Sequence, residues 1–567
     1  MKNRFWMGAG SLIFSAVHAW AAVVEGRVYL DANRNGALDA DETGVARVAV
    51  SDGTRVTVTD ATGGYRLETA GASGVVWICV PRDHIPSGTF WRTSDGARRE
   101  NFGLLPQAQP DDFLFAHITD SHIGRADLMK RFAENLSQLP LPVMFVVNTG
   151  DLVSGVDVVF PDKAQEQYDR YLDAISAFRV PLFNLPGNHE HVSHNVKEAD
   201  QAHPLYGKGL YPRLLGPMHY SWDWAGIHFV ALDGTTLPYQ ERLGKDQLAW
   251  LKVDLQCQPV ERPLVLFCHQ SIPNLRDAQE LREMIKDRKI LGMFCGHLHR
   301  SFEVQFAGAP VYHSGALSGS WWSGPNSDGT PQGFRLVQIK GGVLKTVYTN
   351  REGKNPISIV APLATELQSG TIEVGVSVLD YGKPVELSAS YVGKPVALKP
   401  AEREELWSVW RGTVDTRLAF DGSRDLRFEA KQGEAVSAFQ ASYLVVNGRP
   451  EPFAAESPGL LQIQVRGINA PDELLFNGEL LGVIPAGTTN EATLAFEIGR
   501  ERIRKCNRLT VRAAAQGKGK DQFSCGPVWL EYKGKKIFDL RYVSFDRHVI
   551  VGDDPKRCEK ELYYCLP

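Results

Sequence analysis

Five stretches of this chain place a metal-binding side chain directly after a short apolar run, and that arrangement restricts the folds open to it. Runs at 113–118, 143–148, 181–185, 264–268 and 290–295 lead into Asp120-Ser121-His122, Gly150-Asp151, Gly187-Asn188-His189-Glu190, Cys268-His269 and Gly296-His297-Leu298-His299. Apolar runs of this length read as buried strands, whereas 128–139, 165–178 and 247–255 have helical spacing. Alternating strands and helices make an α/β sheet. In open sheets of that kind, functional side chains stand in loops at the carboxyl ends of strands, and each motif falls in such a loop. A further run at 227–232 and two at 334–339 and 343–348, joined by a Gly-Gly turn, complete the region.

The donor set is imidazole, carboxylate and amide oxygen, which suits Mn, Fe or Zn better than a thiolate-seeking metal. The five motifs resemble those of the calcineurin-like metallophosphoesterase superfamily over about 113–349. The flanks resemble, less closely, the N- and C-terminal β domains of a bacterial secreted subgroup. That resemblance implies a multidomain α/β plus all-β chain: a central αββα metallophosphoesterase sandwich flanked by β-sandwich domains, with two divalent or trivalent metal ions. It implies that Asp120, His122 and His299 hold one metal, that Asn188, His269 and His297 hold the other, and that Asp151 bridges both. His189 then binds a phosphoryl oxygen or protonates the leaving group, and Glu190 is a candidate to orient or tune it. The physical logic is independent of the resemblance. Two cations roughly 3.5–4 Å apart neutralise phosphoryl oxygens and acidify a bridging water, whose hydroxide attacks phosphorus in line. These residues do not separate phosphate monoesters from diesters.

Departures from subfamily patterns narrow the reading. Purple acid phosphatases carry a Tyr three residues after the Gly-Asp aspartate; this chain has Ser154. Leu152-Val153-Ser154-Gly155-Val156 differs from the Asp-Arg-Gly segment of protein phosphatases. Cyclic-nucleotide phosphodiesterases often have His-His where Cys268-His269 stands, and His191 replaces the Phe typical of secreted 5′-nucleotidases. For His117, His191, His194, His203, His219, His228 and His313 a structural role is expected, although His191 and His194 stand near enough to reach substrate. The loop Gly315 to Trp322 offers Trp321 and Trp322 either as an apolar wall for a leaving group or as a plug against a β domain. His203, Tyr206 and Tyr211 are candidates for a rim.

A chain of 567 residues exceeds what one core holds. The expected organisation is a signal peptide at 1–21, a β sandwich at 22–107, the metallophosphoesterase domain at 113–350, a second β sandwich at 357–448 and a β-rich, disulfide-bonded domain at 459–567. Lys2, Arg4, an apolar stretch and Ala19-Trp20-Ala21 form the export pattern, so the protein is expected in the periplasm, on the cell surface or in the medium, with no transmembrane segment after processing. Export permits disulfides. Cys506, Cys525, Cys558 and Cys565 are expected to form two bridges of undetermined pairing, and Cys268 and Cys295 to pack as small apolar groups.

Alternating short runs at 23–107 predict an antiparallel sandwich. Inside it, 31–42 fits the calcium-loop pattern, with Asp31, Asn33, Asn35, Asp39 and Glu42 as oxygen ligands and Gly36 at the turn. A structural calcium and a polar Asx-rich turn both account for that segment. The C-terminal β domains read either as a buttress or as a module whose Trp529 and Tyr532 meet a glycan or another cell-surface ligand. Net charge is −4, so no global basicity points to specific nucleic-acid binding. The expectation is an exported dinuclear phosphoesterase acting on a phosphate ester. Its rival is a secreted binding or adhesion protein with a relic catalytic domain, which the intact ligand set opposes.

Overall fold

The computed structural model describes residues 23–566 apart from 70–73, 95–98, 125, 323, 353–355, 364–365, 467–470, 486–491, 513–521, 540, 542–548 and 553–558. The expected signal peptide at 1–21 lies outside the described residues. The described chain forms two compact units. One runs to Ala108 and includes Lys245–Gln258; the other contains Gln109–Gly244 and the chain from Pro259 onward. Among the described residues no helix is long and apolar enough to cross a membrane.

In the first unit, β1 (Val23–Leu30), β2 (Ala49–Ser51), β3 (Val56–Val58), β4 (Gly64–Glu68), β5 (Val75–Ile78), β6 (His84–Pro86), β7 (Trp91–Thr93) and β8 (Phe102–Pro106) build two four-stranded sheets. Their orders are β4-β1-β8-β6 and β3-β2-β5-β7. Val28, Val50, Ile78, Phe102 and Leu104 are fully buried. One pairing departs from the antiparallel expectation: β1 and β8 run parallel, Val28 opposite Phe102. The segment 31–42 is a loop after β1. Asp31 and Glu42 are buried there, Asp39 is half-buried, and Asn33 and Asn35 are exposed. The loop closes on its own hydrogen bonds. Asp31 accepts from the Asn35 and Gly36 N–H groups (3.1 and 2.9 Å), Glu42 from those of Ala32 and Asp39 (2.9 and 3.0 Å), and Asp39 from both Asn amides (2.7 and 2.9 Å).

The second unit begins with a pair of sheets. β9 (Phe113–Ile118), β10 (Val143–Asn148), β11 (Leu182–Asn184), β12 (Tyr220–Trp224), β13 (Ile227–Leu232), β14 (Thr235–Thr236), β15 (Gln240–Glu241), β16 (Leu264–Cys268), β17 (Ile290–Cys295), β18 (Phe302–Phe306), β19 (Ala309–His313), β20 (Gly333–Lys340) and β21 (Val343–Asn350) follow in order. They give a five-stranded sheet β11-β10-β9-β20-β21, a six-stranded sheet β12-β13-β16-β17-β19-β18 and the hairpin β14-β15. The five-stranded sheet is parallel from β11 to β9 and antiparallel from β9 through β20 to β21, and the six-stranded sheet is parallel from β13 to β19 with β12 and β18 antiparallel at its edges, so both faces must be covered.

Strand alternation explains how. In β9, Phe113 and Phe115 point between the sheets, where Phe115 stacks on Phe145 (5.0 Å) and meets Phe229, Phe267 and Phe294 edge-on at 5.7–6.1 Å. Leu114, Ala116 and Ile118 point the other way, into a core shared with α1 (Ala126–Ser137) and α2 (Pro161–Ile175) through Met129, Phe132 and Tyr168. Trp222 lies stacked at 4.0 Å on Phe183 and at 5.3 Å on Phe229.

The next 90 or so residues form a sandwich of a four- and a five-stranded sheet around Val376, Leu426, Phe428 and Tyr443. Its Leu379, Leu406, Trp407 and Val409 join the same core as Leu114, Leu336 and Val347, so this sandwich buttresses the catalytic-type sheet. The last domain is another two-sheet sandwich, around Leu461, Leu474, Leu509 and Leu530. Trp529 and Tyr532 are buried there at 7% exposure each; Tyr532 belongs to the core of the sandwich, whereas Trp529, on the opposite face of the strand, is covered by Lys536 and Phe538. Cys506 and Cys565 form a disulfide between neighbouring strands; Cys558 and the side chain of Cys525 lie outside the described ones. Cys268 and Cys295 are free and fully buried.

Trp222 is 1% exposed, so Trp222→Ala empties a large volume between rigid sheets and should destabilise this unit by about 3–5 kcal/mol. A lowered urea midpoint with unchanged slope, read by near-ultraviolet circular dichroism, checks it.

Candidate metal centre

The site is assembled at the carboxyl ends of β9, β10, β11, β16 and β17, where the chain turns sharply. Asp120, His122, Asp151, His297 and His299 all hold left-handed backbone conformations, with φ between 39° and 68°. Such conformations are costly for residues with a Cβ and persist only where surrounding structure holds them. Cross-loop hydrogen bonds do so here. Asp120 N–H donates to the Gly150 carbonyl (3.0 Å) and His122 N–H to that of Asp151 (2.9 Å). Glu190, fully buried, accepts from the N–H groups of Asp151 (3.0 Å), Leu152 (2.8 Å) and Gly187 (2.5 Å). Glu190 therefore fastens the β10 loop to the β11 loop, and it acts on His189 through its charge rather than through a hydrogen bond. Burial, reinforced by the charge of Asp151, lifts its pKa to about 7. The glycines before the ligands are sterically required: a Cβ on Gly187 would meet Asp151 Oδ1, and one on Gly296 would meet Thr119 Oγ1.

Three overlapping groups of ligand atoms lie within 4.8 Å of one another: Asp120, His122 and His299; His122, Asp151 and His189; and Asp151, His269 and His297. His299 Nε2 stands 3.1 Å from Asp120 Oδ1, and His269 Nε2 3.1 Å from Asp151 Oδ2. Both imidazoles use Nδ1 elsewhere: His269 donates to the Thr149 carbonyl (2.8 Å) and His299 to that of Gly319 (3.0 Å). A carbonyl only accepts, so Nδ1 carries the proton and Nε2 presents its lone pair inward, as a metal requires. Asp120 Oδ1 and His269 Nε2 are buried without a hydrogen-bond partner. Buried polar atoms are normally satisfied, and a cation between them would satisfy both. Asn188 lines the same cleft, its carbonyl oxygen accepting from Gln270 (3.4 Å). The donors fit two oxygen- and nitrogen-liganded metals, with Asp151 shared between groups.

Without that positive charge the carboxylates draw protons onto imidazoles. Burial opposes charging His269, but Asp151 and Asp120 outweigh it and lift its pKa to about 9. His122, more strongly governed by burial, falls to about 3. His269 must shed its proton to ligate a metal. Metal uptake at pH 8 should therefore release protons, visible as a calorimetric heat that varies with the buffer's ionisation enthalpy; a buffer-independent heat would contradict this.

His189 is placed as the sequence suggests, beside the cleft, but its partner was not foreseen. Its Nδ1 donates to Asp157 Oδ1 at 3.0 Å, and Asn195 holds the other carboxylate oxygen at 2.7 Å. Burial works against protonation of His189, yet the bond to Asp157 and the charges of Asp151, Asp157 and Glu190 raise its pKa to about 9. The cleft, of about 430 Å³, is lined by the candidate ligands on its floor and by Leu298, Arg300, Phe302 and Trp322 on its sides. Trp322 is 42% exposed, with its ring 5.4 Å from that of His122, which sets it in the wall; the side chain of Trp321 lies outside the described ones. Tyr211 is fully buried beneath the loops and is not a rim residue. His191 is buried against Thr235 (2.9 Å), His117 bridges Thr149 and Ser314, and His228 bonds Asp223, all structural roles.

Family models match two stretches of this sequence. Residues 113–301 match calcineurin-like phosphoesterase, and residues 32–104 match the N-terminal domain that accompanies it. The chain thus contains a calcineurin-like phosphoesterase domain with its N-terminal domain. It is 23% identical over 225 residues to the 3',5'-cyclic adenosine monophosphate phosphodiesterase CpdA of Haemophilus influenzae, covering 36% of this chain and 76% of that protein. It is 24% identical over 222 residues to the cAMP/cGMP dual specificity phosphodiesterase MT0825 of Mycobacterium tuberculosis, covering 35% and 66%. Among solved structures, Vps29 from Entamoeba histolytica aligns at a TM-score of 0.20 and 13% identity, over 42% of this chain and 98% of that one.

If Asp157 keeps His189 protonated to donate to a leaving oxygen, Asp157→Asn should cost little with a p-nitrophenyl leaving group and roughly 10–100-fold in kcat with a poor alkyl one. It should also move the alkaline limb of kcat to lower pH, because the pKa of His189 falls. Equal losses on both esters would exclude that role.

Proposed function

We propose that this protein is an exported, dinuclear-metal phosphoesterase that hydrolyses phosphate mono- or diesters. The observation that carries the reading is the set of three imidazole–carboxylate groups, overlapping at His122 and Asp151 and opening on a cleft. The cyclic-nucleotide phosphodiesterase activity of the two relatives supports a diester among the substrates. Asp120, His122 and His299 would hold one metal, Asn188, His269 and His297 the other, and Asp151 would bridge. Bound there, the two cations supply the positive charge that draws in phosphoryl oxygens and makes water nucleophilic at neutral pH.

The remaining work falls to the chain's own groups. Asp157 orients His189 through Nδ1, leaving Nε2 to protonate the departing oxygen. Glu190 keeps the Asp151 and Asn188 loops in register by holding the N–H groups of Asp151 and Gly187. Trp322, Leu298 and Phe302 give the leaving group an apolar wall. The positive start and apolar stretch of the first 21 residues support export, which fractionation of the producing cell tests.

Purified protein reloaded with Mn, Zn or Fe should hydrolyse p-nitrophenyl phosphate or bis-p-nitrophenyl phosphate, and Asp151→Asn should lower kcat at least about 100-fold. Two metals bound per chain with turnover unaffected by Asp151→Asn would refute the assignment of Asp151, and absence of bound metal would refute the metal centre.

A further inference from the structure

The cleft wall contains a charge that the hydrolytic machinery does not use. Arg300 follows the candidate ligand His299 directly and lines the cleft. Its guanidinium is exposed, and among the described residues it forms no ion pair; its Nε donates to Ser327 Oγ at 3.2 Å. Ser327 is itself fixed. Its N–H and its hydroxyl both bond the His299 carbonyl at 2.9 Å, and the next residue, Asp328, accepts the Ser301 N–H at 2.7 Å. The segments on either side of Arg300 are therefore tied to the loop at 327–328, and among the described residues no hydrogen bond or ion pair engages the two terminal nitrogens of this cleft-lining side chain. A guanidinium so presented suits a bidentate oxyanion. Beside it stand Trp322 and Leu298, 42% and 38% exposed, large apolar side chains at the same opening.

We propose that Arg300 is a specificity-determining residue that receives a second, non-scissile phosphoryl group, with Trp322 and Leu298 covering an apolar or aromatic substituent. The favoured substrate class is then a diphosphate diester, a refinement that rests on the phosphoesterase reading above. A single phosphate held on the metal centre leaves Arg300 without a partner, whereas a diphosphate fills both positions. In the reaction the water oxygen forms a new bond to one phosphorus. The bridging oxygen departs with the second phosphoryl group and keeps the bond's electron pair. One proton of the water ends on each of the two monoester products, so charge and atoms balance without a further reactant.

The test compares bis-p-nitrophenyl phosphate with P1,P2-bis-p-nitrophenyl diphosphate, both followed by phosphorus NMR on the metal-loaded full-length protein. The wild type should favour the diphosphate in kcat/KM by tenfold or more. Arg300→Gln should lower that preference at least tenfold, Arg300→Lys should restore part of it, and Ser327→Ala should weaken it less than Arg300→Gln. Calorimetric binding of inorganic diphosphate should weaken tenfold in Arg300→Gln relative to inorganic phosphate. Equal loss on both esters, or no preference in the wild type, overturns the proposal while leaving the phosphoesterase reading intact. Hydrolysis of neither ester with any metal overturns both.

Discussion

Two carboxylates buried side by side govern this protein. Asp120 and Asp151 are 0% and 2% exposed, and neither faces a lysine or arginine within the described site. Buried charges are expensive unless paired. Here the compensation comes from imidazoles: the carboxylate charges outweigh burial at His269 and His299 and favour their protonated forms, whereas burial prevails at His122 and His297; metal cations would take over that role. The geometry that makes the carboxylates costly is the same geometry that would make a phosphate ester electrophilic.

The rest of the unit can be understood as the means of holding that arrangement. Phe115, Phe145, Phe229, Phe267 and Phe294 lock the two sheets face to face, which brings β9 and β10 of one sheet to the same end as β16 and β17 of the other. Above the aromatic layer, His117 spans the Thr149 and Ser314 hydroxyls, a polar transition between a dry core and the ligands. Glu190 then joins the loops. The β sandwich after the catalytic-type sheets adds Trp407 and Leu406 to the core on their far side, well placed to stiffen the sheet that carries Asp120 and Asp151.

Where the sequence reading and the structure diverge, the reason is physical. Glu190 follows His189 in the chain, but a turn sends adjacent side chains in different directions, so Glu190 points down into the loop junction while His189 faces the cleft. Asp157 reaches His189 because Gly155, at φ 73°, turns the chain into the short 3-10 helix Val156–Val158; no spacing rule foretells that. Tyr211, Trp529 and Tyr532 read equally well as surface or core in a sequence, since aromatic side chains serve both, and only the packing of neighbouring elements consigned them to the interior.

The sequence alone determined that strands would end on ligand-bearing loops, because the apolar runs are short, the helical segments between them are periodic, and glycine precedes a ligand wherever no Cβ would fit. It therefore marked the candidate donors and the chemistry that their side chains allow. The tertiary structure decided which candidate donors lie within reach of one another, which imidazole nitrogen faces inward, which acid partners His189, and that Arg300 lines the cleft beside an apolar wall without an ion pair among the described residues. Those facts depend on contacts between residues that stand from tens to well over a hundred places apart in the chain, and local patterns carry no information about contacts of that range.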